Sequence, residues 1–202
     1  MPAEVEVFAD ITCPFTHVGL KLVASRLVEQ RPGVECRVRA WPLEWVNGAP
    51  LGGHAVAVKI QVLRDQVGRE FFTGFRPDRF PVTTIPALNL AAAAYGVDAA
   101  TGMFVSMELR DELFEEGRDI GDPEVLAEIA ARHGLDAPPP EPSSAVKDDY
   151  ADGQDRGVRG SPDFFTGDNE FFCPALDLDH DDAGQLLAAI DIEGLEAFIS
   201  TI

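Results

Sequence analysis

Two alternating segments bracket a helical one at the start of the chain, and this pattern constrains the fold more tightly than any other feature. Glu4 to Ala9 puts Val5, Val7 and Ala9 on one side of a strand. Leu20, Val23, Ala24, Leu27 and Val28 then share one helical face, which the Arg31-Pro32-Gly33 cluster ends. Val34 to Trp41 alternates again, with Val34, Cys36, Val38 and Ala40 on one face and Glu35, Arg37 and Arg39 on the other. The connection is long enough for a crossover, so the chain opens β-α-β with parallel strands.

From His54 to Tyr150 the pattern is helical. Val56, Ile60, Leu63, Val67 and Phe71 follow one helical face, Ala87 to Tyr95 is rich in Ala and Leu, and Asp98 caps a helix running to about Glu116. Asp122-Pro123 opens another helix, closed by Arg132, His133 and Gly134. Ala137 to Pro142 is an extended connector, with helical composition resuming at Ser143. After Gly157 the strand pattern returns as a hairpin, Pro162 to Thr166 and Glu170 to Cys173 about Gly167-Asp168-Asn169. Leu176 to Ile190 fits either a second hairpin about Asp181 to Gly184 or a loop and helix. Ile192 to Ile199 reads as a terminal amphipathic helix. The expected fold is α/β: a thioredoxin-like domain over 1–53 and 157–202, with an all-helical insertion over 54–156 between its β-α-β and β-β-α halves.

A chain of 202 residues is large enough to bury a core without disulfide or metal staples. Its formal charge of −19 repels phosphate backbones and anionic bilayers, which argues against nucleic acid and membrane surfaces as partners. Met1 to Val7 lacks the basic and apolar regions of a secretory leader, and Cys13, Cys36 and Cys173 form neither a disulfide framework nor a zinc pattern. The expected compartment is a reducing cytoplasm.

Chemistry concentrates at Asp10-Ile11-Thr12-Cys13-Pro14-Phe15-Thr16, which puts a cysteine at the first turn of a helix directly after a strand. Unpaired N–H groups and the positive end of the helix dipole favour a thiolate there, and a thiolate is the nucleophile. Thr12 is expected as the N-cap, and Thr16, one turn on, brings a hydroxyl toward the Cys13 sulfur. Cys36 alternates in phase with Val34 and Val38, so it reads as a core thiol. Cys173 reads first as a structural cysteine; the alternative, a distant resolving thiol for Cys13, requires Cα atoms within roughly 7 Å. His17 reads as a helix-surface residue, with lining of the cleft as the second reading. No metal site is expected: Asp177 to Asp182 lacks the Gly and Glu of a calcium loop, and His17, His54, His133 and His180 show no ligand spacing. Phosphate-loop and serine-hydrolase motifs are missing from the sequence.

Three segments in this order resemble the DsbA-like branch of the thioredoxin superfamily, which includes cytoplasmic oxidoreductases, 2-hydroxychromene-2-carboxylate isomerases and kappa-class glutathione transferases. They are Phe8 to Thr16, Glu108-Leu109-Arg110 with Phe114 to Ile120, and Gly157-Val158-Arg159-Gly160-Ser161-Pro162. The resemblance implies a cis proline at Pro162 facing Cys13. Backbone groups beside Ser161 and Pro162 would then dock an extended peptide or glutathione as a short added strand. It also exposes a departure, because Thr16 stands where the dithiol oxidoreductases carry a second cysteine. A hydroxyl cannot form a disulfide, so a mixed disulfide on Cys13 would await an external thiol.

The expected function is thiol-disulfide oxidoreduction through Cys13 in a Cys-Pro-Phe-Thr motif. Cys13 is the nucleophile, Thr16 its hydroxyl donor, and Pro14, Phe15, Ser161 and Pro162 form the substrate-binding surface. A thiol or disulfide substrate and glutathione, as co-substrate, are the expected partners. No tightly bound cofactor is expected, and a homodimer is left open. The alternatives are a glutathione-dependent isomerase or transferase, in which position 13 stabilises the glutathione thiolate, and a non-catalytic binding module.

Overall fold

The computed structural model describes residues 4–202. Met1, Pro2 and Ala3, on which the reading of the N-terminus partly rests, lie outside the described residues. Strand β1 (Glu4–Ala9), helix α1 (Pro14–Gln30) and strand β2 (Glu35–Ala40) form the opening unit. The two strands are parallel, with Val5 opposite Cys36, Val7 opposite Val38 and Ala9 opposite Ala40. Much later in the chain, β3 (Asp163–Thr166) adds to the free side of β1 in antiparallel sense, and β4 (Asn169–Phe172) follows as a hairpin. The sheet order is β2-β1-β3-β4, so the two ends of the chain meet at the β1–β3 seam.

Alternation explains what covers each face. On one face Val5, Val7 and Phe164 pack with Leu20 and Val23 of α1 and with Phe198 of the last helix, α8 (Ile192–Ser200). On the other face Phe8, Trp41 and Phe165 pack together, with Tyr150 against them. Tyr150 belongs to α7 (Ser144–Asp155). Between β2 and α7 run α2 (Leu43–Val46), α3 (Gly53–Gln66), α4 (Ile85–Tyr95), α5 (Ala99–Phe114) and α6 (Pro123–Arg132). Two of them carry the side-chain caps expected from the sequence, Asp98 accepting from the Thr101 N–H and Asp122 from the Glu124 N–H, and at the start of α7 Ser143 accepts from the Val146 N–H. Each cap satisfies a donor that the helix leaves orphaned. No helix among the described residues is long and apolar enough to cross a membrane.

One segment differs from the periodicity reading, and a second takes one of its two alternatives. The helical face expected to reach Phe71 stops at Gln66, with Val67 as the C-cap. Phe72 takes the left-handed conformation at φ 63°, and the Glu115 carboxylate accepts from the backbone N–H groups of Phe72 and Thr73, each at 2.9 Å. A partner distant in sequence therefore supplies the hydrogen bonds that helix continuation would have made. Leu176 to Ile190 resolves as a hairpin, β5 (Leu176–His180) with β6 (Leu186–Ile190), turned by Gly184 at φ 76°. This hairpin leans on the helices, where Gln66 Oε1 accepts from the Ala188 N–H at 2.8 Å. A single apolar cluster joins Ile11 and Val18 beside the first turn of α1 to Ile60 and Leu63 of α3, Leu109 of α5, and Cys173.

Candidate active site

Strand β1 ends at Ala9, and the turn that follows hangs on one buried carboxylate. Asp10 Oδ1 accepts from the Thr12 N–H at 2.7 Å and the Thr12 hydroxyl at 2.6 Å. Its Oδ2 accepts from the Leu43 N–H at 2.8 Å and the Thr84 hydroxyl at 3.2 Å. Asp10 thus joins the active-site turn to the starts of α2 and α4. Thr12, the expected N-cap, turns its hydroxyl back to Asp10 instead. Cys13 itself occupies the N-cap position with an extended backbone, and its side chain makes no capping bond. Pro14 follows as the first helical residue, where a missing N–H costs nothing.

The Cys13 sulfur is held against a segment far away in sequence. The thiol donates to the Ser161 carbonyl at 2.9 Å, and the Ser161–Pro162 peptide bond is cis. The Ser161 hydroxyl accepts from the Asp10 N–H at 2.9 Å and shares a 2.8 Å hydrogen bond with the Thr16 hydroxyl. Thr16 therefore ties the first turn of α1 to Ser161, where spacing alone had turned it toward the sulfur. Cys13 is 3% exposed and Thr16 fully buried; Phe15 is the more accessible residue of this turn, with the Lys59 ammonium of α3 5.7 Å from its ring centroid. Pro14 and Phe15 follow Cys13 in the first turn of α1, and Ser161 meets its sulfur with Pro162 next in the chain.

Electrostatics at the turn involve a residue to which its sequence motif gave no role. Arg110 of α5 is fully buried, donating to the Ser106 carbonyl at 2.7 Å and more weakly to the Asp10 carbonyl at 3.4 Å. Burial lowers its pKa, opposed by the charges of Asp10, Tyr95 and Cys13. A guanidinium stays protonated under such conditions, so a cation is fixed behind the turn that presents the thiol.

His17 corrects another expectation. It is fully buried, and its ring lies among Phe71, Phe72 and Phe114. Burial lowers its pKa and outweighs the opposing hydrogen bond to Glu115. Neutral His17 donates from Nε2 to Glu115 Oε1 at 2.6 Å. Burial alone would raise the Glu115 pKa, but donors from His17, Thr73 and Phe72 bring it down to about 2. Ligand-capable atoms of His17, Asp111 and Glu115 lie within 4.8 Å of one another. Asp111 is engaged by the Lys21 ammonium at 2.6 Å and Glu115 by His17, so these donors already serve protein partners. Sequence spacing could not show this group, because it joins α1 to the end of α5. Asp10 and Arg110 were visible only as members of the Phe8 to Thr16 and Glu108-Leu109-Arg110 segments.

The family model described as "DSBA-like thioredoxin domain" matches residues 4–182. The chain belongs to this family. No curated protein sequence matches it. Among solved structures it is similar to a 2-hydroxychromene-2-carboxylate isomerase, with TM-score 0.61 and 17% identity over 84% of this chain and 88% of that one. A probable DsbA oxidoreductase from Streptomyces coelicolor gives TM-score 0.56 and 20% identity over 80% of this chain and 79% of the other. The cytosolic disulfide reductase DsbM from Pseudomonas aeruginosa gives 0.54 and 16% over 98% and 97%. At these identities the likeness establishes a thioredoxin-like fold.

Proposed function

We propose that this protein carries out thiol-disulfide exchange in the cytoplasm with Cys13 as the attacking thiol and glutathione as its thiol partner. The observation that carries the reading is the seat of Cys13: the N-cap of α1, its sulfur 2.9 Å from the Ser161 carbonyl, with Arg110 buried behind it. The helix N-terminus and the guanidinium place positive potential beside the sulfur, and the thiolate is the form that attacks a disulfide. In the first step Cys13 attacks a disulfide, forms a mixed disulfide and releases one thiolate. Position 16 offers no thiol, so glutathione attacks the mixed disulfide from outside, leaves joined to the bound group as a new disulfide and restores the Cys13 thiolate. Ser161 and Pro162 border the sulfur and supply the edge on which a peptide-like partner aligns. DsbM, whose fold this chain shares, has also been solved with GSH, which supports glutathione as the thiol.

Cys13→Ser should abolish reduction of a small disulfide by glutathione, followed through coupled NADPH consumption, while the variant keeps its fold. Full activity in that variant would sink the reading. A second reading draws on the hydroxyl at Thr16 and the similarity to the isomerase: Cys13 would stabilise a bound glutathione thiolate during isomerisation or transfer. Turnover of an aromatic or enone substrate without disulfide exchange would favour it.

A further inference from the structure

Two of the three cysteines attach to one turn. The Cys13 thiol bonds to the Ser161 carbonyl at 2.9 Å, and the Cys173 N–H donates to the next carbonyl, Pro162, at 3.2 Å. The second bond continues the β3–β4 ladder one step beyond the Asp163–Phe172 pair, placing Cys173 opposite Pro162. Cys173 is 4% exposed and left-handed at φ 48°, a conformation that a residue with a side chain rarely adopts. Its carbonyl accepts from the Leu176 N–H at 3.1 Å, so its backbone is held on both sides. Cys36 differs, since it lies on β2 opposite Val5.

An unused polar atom sits at the same place. Asp163, the first residue of β3, is fully buried; its Oδ2 accepts from the Arg159 N–H at 2.8 Å, while Oδ1 has no partner among the described residues. A buried carboxylate oxygen without a donor is costly unless the group takes up a proton. Burial, together with the neighbouring Glu170 carboxylate, raises the Asp163 pKa to about 6, which lets it change protonation state near neutrality. The Cys173 thiol is pushed up to about 12, by burial first and then by the charges of Cys13 and Asp163. Asp163 pairs with Phe172, so it lies one ladder step from Cys173.

We infer that Cys173 is the resolving thiol for Cys13, so that the site holds an internal dithiol couple whose second sulfur comes from the end of β4. This rests on the reading of Cys13 as the attacking thiol, with Cys173 in place of glutathione as the group that breaks the mixed disulfide. Cys13 thiolate attacks oxidised glutathione, forming a Cys13–glutathione disulfide and releasing one glutathione thiolate. Cys173 passes its proton to the Asp163 carboxylate and attacks the Cys13 sulfur. The Cys13–Cys173 bond forms as the Cys13–glutathione bond breaks, and the second glutathione thiolate leaves with the proton from Asp163. Two protein thiols are oxidised and one disulfide is reduced to two thiols.

The test uses the full chain, reduced, freed of reductant, mixed with excess oxidised glutathione, quenched in acid and mapped by mass spectrometry without reduction. The expected product is a Cys13–Cys173 cross-linked peptide, with Cys36 free. Cys173→Ala and Cys173→Ser should both trap glutathione on Cys13, with an adduct lifetime at least roughly tenfold longer than in the parent. Asp163→Asn should slow decay of the adduct roughly tenfold or more, and its formation much less. A parent protein whose adduct on Cys13 lasts as long as in Cys173→Ala would overturn the resolving role and leave the attacking role intact. Absence of any adduct or cross-link at Cys13, in the parent and both Cys173 variants, would remove both. The cross-link is read in the parent protein itself, so it does not depend on how well a variant folds.

Discussion

Ser161 makes three hydrogen bonds at the turn where the two ends of the chain meet, and they are unequal. Its hydroxyl is the acceptor for the buried Asp10 N–H and the partner of the Thr16 hydroxyl, while its carbonyl receives the Cys13 thiol. Ser161→Ala leaves a backbone donor buried without an acceptor, a cost of about 1–3 kcal/mol. Thr16→Val removes one hydroxyl–hydroxyl bond and leaves the Asp10 N–H satisfied, so about 1 kcal/mol is expected. Urea midpoints at unchanged slope would order the two variants; a larger loss for Thr16→Val would contradict this ranking of the bonds. The same residues show what local spacing can reveal. Cys13 at a strand-to-helix turn was legible, since the period changes there. The partner of Thr16 was not, because the residue one turn away lost to a serine 145 positions along the chain.

At the scale of elements, the strands and most helix starts were legible because alternation, helical spacing and capping residues are local signals, and Asp98 and Asp122 behave accordingly. The end of α3 was illegible, because Glu115 imposes it from α5's far end. Glu115 binds the Phe72 and Thr73 N–H groups, the Thr73 hydroxyl and His17. Its pKa falls from 4.5 to about 2 on folding. A lowered carboxyl pKa contributes stability above the unfolded value and loses it as pH falls toward the folded one. The shift corresponds to a ceiling of about 3 kcal/mol, with more than half gone by about pH 3. Glu115→Gln should therefore lower the urea midpoint clearly at pH 7, and the gap to the parent should narrow by pH 3. Equal gaps at both pH values would mean that the clamp works through shape and not through charge.

Over the whole molecule the governing quantity is the net charge of −19, which was plain in the sequence and which no single contact expresses. Oxidised glutathione is itself an anion, so the protein's summed field opposes its approach to Cys13 even though Lys59 at Phe15 supplies a nearby cation. Raising ionic strength from about 0.01 M to about 1 M shortens the Debye length from roughly 30 Å to roughly 3 Å, which screens the distant carboxylates. A single exposed ammonium near the site cannot balance that excess at low salt. The rate of Cys13 modification by oxidised glutathione should accordingly rise severalfold with sodium chloride, whereas the rate with uncharged hydroxyethyl disulfide should stay nearly flat. The neutral disulfide controls for effects of salt on Cys13 itself, because both reagents meet the same sulfur. If salt instead slows glutathione alone, the local cations outweigh the global field, and the site is built to attract an anionic partner despite the acidic surface around it.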